Sequence, residues 1–210
     1  LQGYLETLLM KEGQLTPQEQ QEYLLTAINH SHHLSKMVTE LFELARLESS
    51  HAEIHLEPFS IGELVQDIVQ QFEMNAGTAN VGLQTHFSVD LPFVLADIGL
   101  VQRVFTNLIE NALRYTPSGG AVTIILIHKD GQIRVQVEDT GGGIRQEDLS
   151  RVFERFYRSK NQPTSSARSG LGLAIAKRIL ELHGSAIEVA SAPDKGAVFS
   201  FSLPVYEPEQ

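Results

Sequence analysis

Between Thr16 and Ser49 the chain has no glycine and a single proline, Pro17, placed where a helix tolerates one. Thr16-Pro17-Gln18-Glu19 reads as a helix start, with threonine as N-cap, proline in the first turn and a glutamate three residues on to close a capping box. Nothing then breaks the helix until about Ser49. Leu34, Val38, Leu41 and Ala45 recur along it at coiled-coil-like spacing, and Met37, Phe42 and Leu44 widen the apolar stripe. Ahead of it, Leu1, Leu5, Leu8 and Leu9 form one stripe of a shorter helix that Gly13 ends. A hairpin of two helices cannot cover so wide a stripe alone. Either the rest of the chain covers it or a second copy does; we expect the copy, giving a four-helix bundle.

Beyond the hairpin, helices and strands are mixed. Residues 50–59 read as a linker and first edge strand, and Ser60 and Glu63 form another capping box, opening a helix that carries Leu64, Ile68 and Phe72. A strand is expected at about 81–89, a helix from Asp97 to about Tyr115 and a strand over Ala121–His128. Asp130-Gly131 predicts a tight hairpin turn into the alternating Ile133-Arg134-Val135-Gln136-Val137. The polar, breaker-rich residues 159–169 read as a mobile loop. A helix from about Leu171 to His183 and strands near 186–190 and 197–203 close the chain. This is an α+β pattern: residues 1–52 form the helical hairpin, and residues 53–210 a sandwich of a mixed sheet with helices on one face.

Composition narrows the function. The 210 residues carry 16 Lys+Arg against 26 Asp+Glu, a formal charge of −10 that disfavours nucleic acid as a partner. With no cysteine, disulfides, thiolate zinc sites and cysteine nucleophiles are excluded. No apolar run approaches the ~18 residues of a membrane span, and no signal peptide is visible. The chain opens without Met, already inside an apolar pattern.

Three segments could carry chemistry. On the helix after Asp97, Arg103, Asn107, Glu110/Asn111 and Arg114 line one polar face, opposite Val101, Val104, Phe105, Leu108 and Ala112. Two asparagines one turn apart are poor helix formers, whereas their amide oxygens suit Mg²⁺ and an adjacent Arg suits phosphate; an ordinary exposed face is the plainer reading. Glu138-Asp139-Thr140-Gly141-Gly142-Gly143-Ile144 leaves a strand through three glycines, fitting either close approach of a ligand or a bulged hairpin exit. Asp139 could accept a hydrogen bond from an exocyclic amine. Ser169-Gly170-Leu171-Gly172-Leu173 leads into a helix whose free N–H groups could face phosphate. No Rossmann fingerprint, P-loop or protein-kinase signature is present. Phe153-Glu154-Arg155-Phe156-Tyr157-Arg158 could anchor a lid. His30, His32 and His33 have no carboxylate to complete a metal site and read as surface residues of the long helix.

In this order the segments resemble the sensor histidine kinases of bacterial two-component signalling. Asn107 through Tyr115 resembles the N box of that family, Glu138 through Ile144 the first glycine box, Phe153 through Arg158 the F box and Gly170 through Leu173 the second glycine box. Gly196-Ala197-Val198-Phe199, with Phe201 and Leu203-Pro204, resembles the closing strand. The hairpin resembles the dimerisation hairpin down to Leu44-Ala45-Arg46-Leu47-Glu48-Ser49.

The resemblance implies an ATP-binding sandwich, ATP and Mg²⁺ as cofactors, a homodimer, a response-regulator receiver domain as partner, and a cytoplasmic fragment without membrane contact whose parent is anchored in the bacterial inner membrane. It makes Asn111 the main Mg²⁺ ligand with Asn107 beside it, Arg114 a phosphate contact and Tyr115 a flank of the nucleotide. It assigns Asp139 to the adenine amino group and Gly141, Gly143 and Ile144 to the nucleotide's near wall. Arg158 would reach phosphate from the lid, Gly170, Leu171, Gly172 and Leu173 would cradle it, and Glu110 would orient or deprotonate the attacking imidazole. Arg168-Ser169 stand where another Gly is frequent, and Ala197 where Thr is usual. The acceptor motif H-[DE]-x-x-x-P does not occur, so the resemblance implies a fragment cut just after it, the missing His lying about nine residues before Leu1. A gyrase- or Hsp90-like ATPase, which usually has Glu where Asn107 stands, and a degenerate nucleotide-sensing scaffold are the alternatives.

Overall fold

The computed structural model describes residues 2–11, 14–49, 52–88, 90–157 and 169–208. The N-terminal hairpin pairs α1 (Gln2–Met10) with α2 (Pro17–Glu48). Thr16 caps α2 as its sequence predicts: its hydroxyl accepts from the Glu19 N–H, while the Glu19 carboxylate accepts from the Thr16 N–H at 2.8 Å. The Tyr4 ring of α1 packs between Tyr23 and His30 of α2.

Elements β1 (Glu57–Phe59), α3 (Ile61–Ala79), β2 (Gly82–His86), β3 (Val94–Ala96) and α4 (Ile98–Tyr115) come after the hairpin. Next come β4 (Ala121–Lys129), β5 (Gln132–Asp139), the single turn α5 (Gln146–Leu149), α6 (Gly172–Leu182), β6 (Glu188–Ser191) and β7 (Ala197–Pro204). Five strands make one mixed sheet in the order β2-β4-β5-β7-β6, parallel only between β2 and β4. The β4–β5 hairpin turns on Asp130 and Gly131, both at positive φ (54° and 72°), as a primed turn requires.

Alternation decides which sheet face is covered. Val122, Ile124 and Leu126 of β4, Ile133, Val135 and Val137 of β5, and Phe199, Phe201 and Leu203 of β7 all point into one core. Helices α3, α4 and α6 close it with Ile61, Val65 and Ile68, with Val104, Phe105 and Leu108, and with Ile175, Ile179 and Leu180. The fold class expected from the sequence is the one observed.

Three details differ from expectation. β1 is not an edge of the main sheet: it pairs with β3 in a separate two-stranded ribbon, tied to β7 by a bridge between Val94 and Val205. Pro58 in β1 lacks the N–H that a second ladder would need. The wide stripe of α2 divides. Leu44 and Leu47 are buried in the sandwich's core, whereas Leu34 (54% exposed), Val38 (43%), Leu41 (46%) and Phe42 (73%) face outward. Ser60 accepts from the Glu63 N–H at 3.3 Å and so supplies the forward half of a capping box. No helix among the described residues is long and apolar enough to cross a membrane.

Candidate functional site

α4 starts where Asp97 stops the extended chain. Its carboxylate accepts from the Leu100 N–H at 3.0 Å and, with its second oxygen, from the His55 N–H at 3.0 Å, which fixes the helix against the ribbon. The apolar face of α4 is fully buried, so its other face must point toward α2 and α6. That face presents Asn107, Glu110, Asn111 and Arg114 to a cavity of about 540 Å³. Sites for small ligands fall in the range of about 300–1,000 Å³.

The cavity gathers residues from several other places in the chain. Asp139, Gly142, Gly143 and Ile144 come from the exit of β5, and Tyr115 from the end of α4. Gly170, Gly172 and Leu173 come from the opening of α6, Arg145, Asp148, Val152 and Tyr157 from the stretch around α5, and Ala197 and Phe199 from β7. No side chain caps α6, so its first-turn amides are open to an anion.

Within the cavity Asp139 is 9% exposed, and its Oδ1 accepts from the Gly141 N–H at 2.8 Å. Burial pushes this carboxyl above the usual carboxylate value; the N–H groups of Gly141 and Ala197 oppose the push. Asn107 is 6% exposed, and its Nδ2 is buried without a hydrogen-bond partner. A buried amide left unpaired costs about 1–3 kcal/mol, so this donor stands ready for an acceptor entering the cavity.

The glycines prove to be shaped by the chain itself. A β-carbon on Gly141 would lie 2.5 Å from the Tyr115 carbonyl oxygen, and one on Gly143 (φ 70°) 2.0 Å from that of Ala192. Gly142 alone of the three has open space around it. Gly170 (φ 71°) presses on the Phe156 backbone, which donates its N–H to the Gly170 carbonyl at 2.9 Å. The two aromatic-and-glycine segments are thereby one unit. Tyr157 completes it: its hydroxyl donates to Asp148, a bond that raises the phenol's pKa above its ordinary value, and Arg151 lies over its ring at 4.4 Å.

Most of the residues predicted from sequence meet here: Asn107, Glu110, Asn111, Arg114, Tyr115, Asp139, Gly143, Ile144, Gly170, Gly172 and Leu173 all line the cavity. Gly141 and Leu171 do not. Gly141 supplies backbone beneath Asp139, and Leu171 is fully buried in the core. Arg158 and the expected loop, apart from Ser169, lie outside the described residues. Arg103, on the same helix face, belongs to another structure: it holds Glu43 of α2 in a two-pronged pair, 2.9 Å through Nε and 2.9 Å through Nη2. Sequence reasoning missed His33, Lys36 and Glu40, through which α2 supplies a further wall.

This arrangement has known counterparts. The family described as histidine kinase-, DNA gyrase B- and HSP90-like ATPases matches residues 96–207, more than half of the chain and the whole of the cavity except its α2 wall. The chain belongs to that family. It therefore carries an ATP-binding domain, and sensory kinases are among its relatives. Drug sensory protein A of a Synechocystis species is 33% identical over 99% of this chain and 33% of its own length. The sensor-like histidine kinase SenX3 of Mycolicibacterium smegmatis is 35% identical over 87% of this chain and 48% of its own. Among solved structures, full-length ShkA in complex with AMPPNP superposes with a TM-score of 0.78 at 28% identity, covering 95% of this chain and 42% of that one. The chain spans about half the length, or less, of the curated relatives it matches.

Proposed function

We propose that this chain is the ATP-binding catalytic portion of a two-component sensor histidine kinase, one that phosphorylates a histidine and passes the phosphoryl group to a response-regulator aspartate. The observation that carries the reading is the buried, unpartnered Nδ2 of Asn107 at the wall of a cavity that also holds Asn111, Glu110, Arg114 and the buried carboxylate of Asp139.

Mg-ATP would supply the phosphoryl group, and such a transfer needs mainly positioning and charge neutralisation from the protein. Asp139 is an acceptor suited to an exocyclic amine. Asn111, with Asn107 beside it, offers amide oxygen to a hard cation. Among the described residues no three His, Cys, Asp or Glu side chains cluster as a metal site, so a cation here draws on amides and on phosphate oxygens. Arg114 and the amides opening α6 would hold the phosphates, and Glu110 would accept the proton of the attacking imidazole. Arg158 is proposed to join them from the lid. Asn107, where gyrase- and Hsp90-like ATPases usually have Glu, and the hairpin of α1 and α2 favour the kinase over those ATPases.

The proposal extends to assembly. The outward row Leu34, Val38, Leu41 and Phe42 is the face on which a second hairpin would close a four-helix bundle. Residues 1–52 are proposed as the dimerisation unit and residues 53–210 as the catalytic domain, with the parent protein anchored in the inner membrane. Calorimetric titration with ATP tests the site: binding should require Mg²⁺ and fall sharply in Asn111→Ala. Equal affinity with and without Mg²⁺ in both proteins would remove the kinase assignment's main support.

A further inference from the structure

The wall supplied by α2 is not explained by the catalytic domain's own residues. Lys36 donates from Nζ to Glu110 Oε2 at 2.8 Å, across 74 positions of sequence, and lines the nucleotide cavity. Its second carboxylate neighbour, Glu40 at 3.9 Å, is buried, accepts from the Ser169 hydroxyl and lies 3.9 Å from Arg103. Glu40 is therefore engaged from the sandwich side, and Arg103 is engaged by Glu43. Glu110 is left as the exchangeable partner of Lys36. Side-chain exposures of 49% for Lys36 and 36% for Glu110 put the pair in contact with water, where such a bridge is weak.

Three cations among the described residues line the cavity: Lys36, Arg114 and Arg145. Arg145 is taken up by Glu147 at 2.9 Å and Asp148 at 3.3 Å. Arg114 lies one helical turn beyond Glu110 on α4, whereas Lys36 approaches Glu110 from α2. A polyphosphate entering between α4 and α2 brings several negative charges to Lys36 in place of one.

We infer that Lys36 is a phosphate-binding residue contributed by the helical hairpin, which gives up Glu110 for the terminal phosphate of a bound nucleoside triphosphate. The inference rests on the nucleotide reading of the cavity. It has two consequences. The nucleotide site is incomplete without α2, so hairpin position and triphosphate affinity are coupled. Glu110, tied as an ion-pair partner before the exchange, becomes free afterwards to accept a proton.

Calorimetric titration of the 210-residue chain with Mg-AMPPNP, Mg-ADP and adenosine tests this. Lys36→Ala should weaken AMPPNP about tenfold while ADP and adenosine change little, as expected for one lost charge-assisted contact to the terminal phosphate. Lys36→Arg should restore most of the loss. Glu110→Gln, which releases Lys36 beforehand, should tighten AMPPNP by up to about fivefold. Unchanged AMPPNP affinity in Lys36→Ala overturns the inference, and so does an equal loss for all three ligands, which would mark a merely structural role. If the unaltered chain binds none of them, the nucleotide reading falls and the inference with it.

Discussion

Gly172, the first residue of α6, lies against Asn107 of α4: a β-carbon there would stand 3.3 Å from the Asn107 Oδ1. The second glycine segment thus makes room for Asn107 of α4. Gly172→Ala should leave the fold intact, because alanine favours helix by up to about 1 kcal/mol over glycine. It should nonetheless weaken nucleotide binding several-fold by pushing the amide aside. Urea unfolding and titration with AMPPNP, compared on one sample, check both halves.

Asn107→Leu separates stability from function. The side chain keeps its branched shape and loses the buried, unpaired amide, so the nucleotide-free protein should gain about 1 kcal/mol or more. Nucleotide binding should be lost. A destabilised variant in thermal unfolding would mean that the amide has a partner in the resting protein.

The turn between β6 and β7 locks onto the glycine run. Gly143 and Gly196 both have φ 70°, and β-carbons on them would fall 2.0 Å from the Ala192 carbonyl oxygen and 1.8 Å from that of Asp139. Alanine at either should cost about 3 kcal/mol or more, whereas Gly142→Ala should stay within about 0.5 kcal/mol. Denaturant midpoints of the three variants rank them.

Much of this was legible in the sequence and some could not be. Asp97 and the polar face of Asn107, Glu110, Asn111 and Arg114 announce α4, because capping and helical period are local rules. Asp130-Gly131 announces its turn for the same reason. β3 and α5, three and four residues long, fall below any window in which a period can be seen. Arg103 shares the spacing of the site residues, yet Glu43, sixty positions away, decides its role. Lys36 and Glu40 reach the cavity because Leu44, Leu47 and the Glu43–Arg103 pair dock α2 on the sandwich, contacts no local pattern encodes.

Acidification should weaken nucleotide binding through Asp139. Its pKa in the free protein is raised by burial, and an amine donor in the bound state favours the ionised form. Affinity is then full above the free-state pKa and declines as pH falls through it, a loss that begins at higher pH than an unperturbed aspartate would give. Asp139→Asn should bind weakly at every pH and show no such slope in fluorescence titrations with a nucleotide analogue.

Hydrogen–deuterium exchange with and without Mg-AMPPNP decides whether this cavity is the nucleotide site. Bound nucleotide should slow exchange of the amides at Gly142, Gly143 and Ile144 and at Gly172 through Ile175, with β2 and α3 unchanged. If saturating ligand leaves both glycine segments at their original rates, or protects other elements instead, the nucleotide binds elsewhere and the site assigned here is wrong.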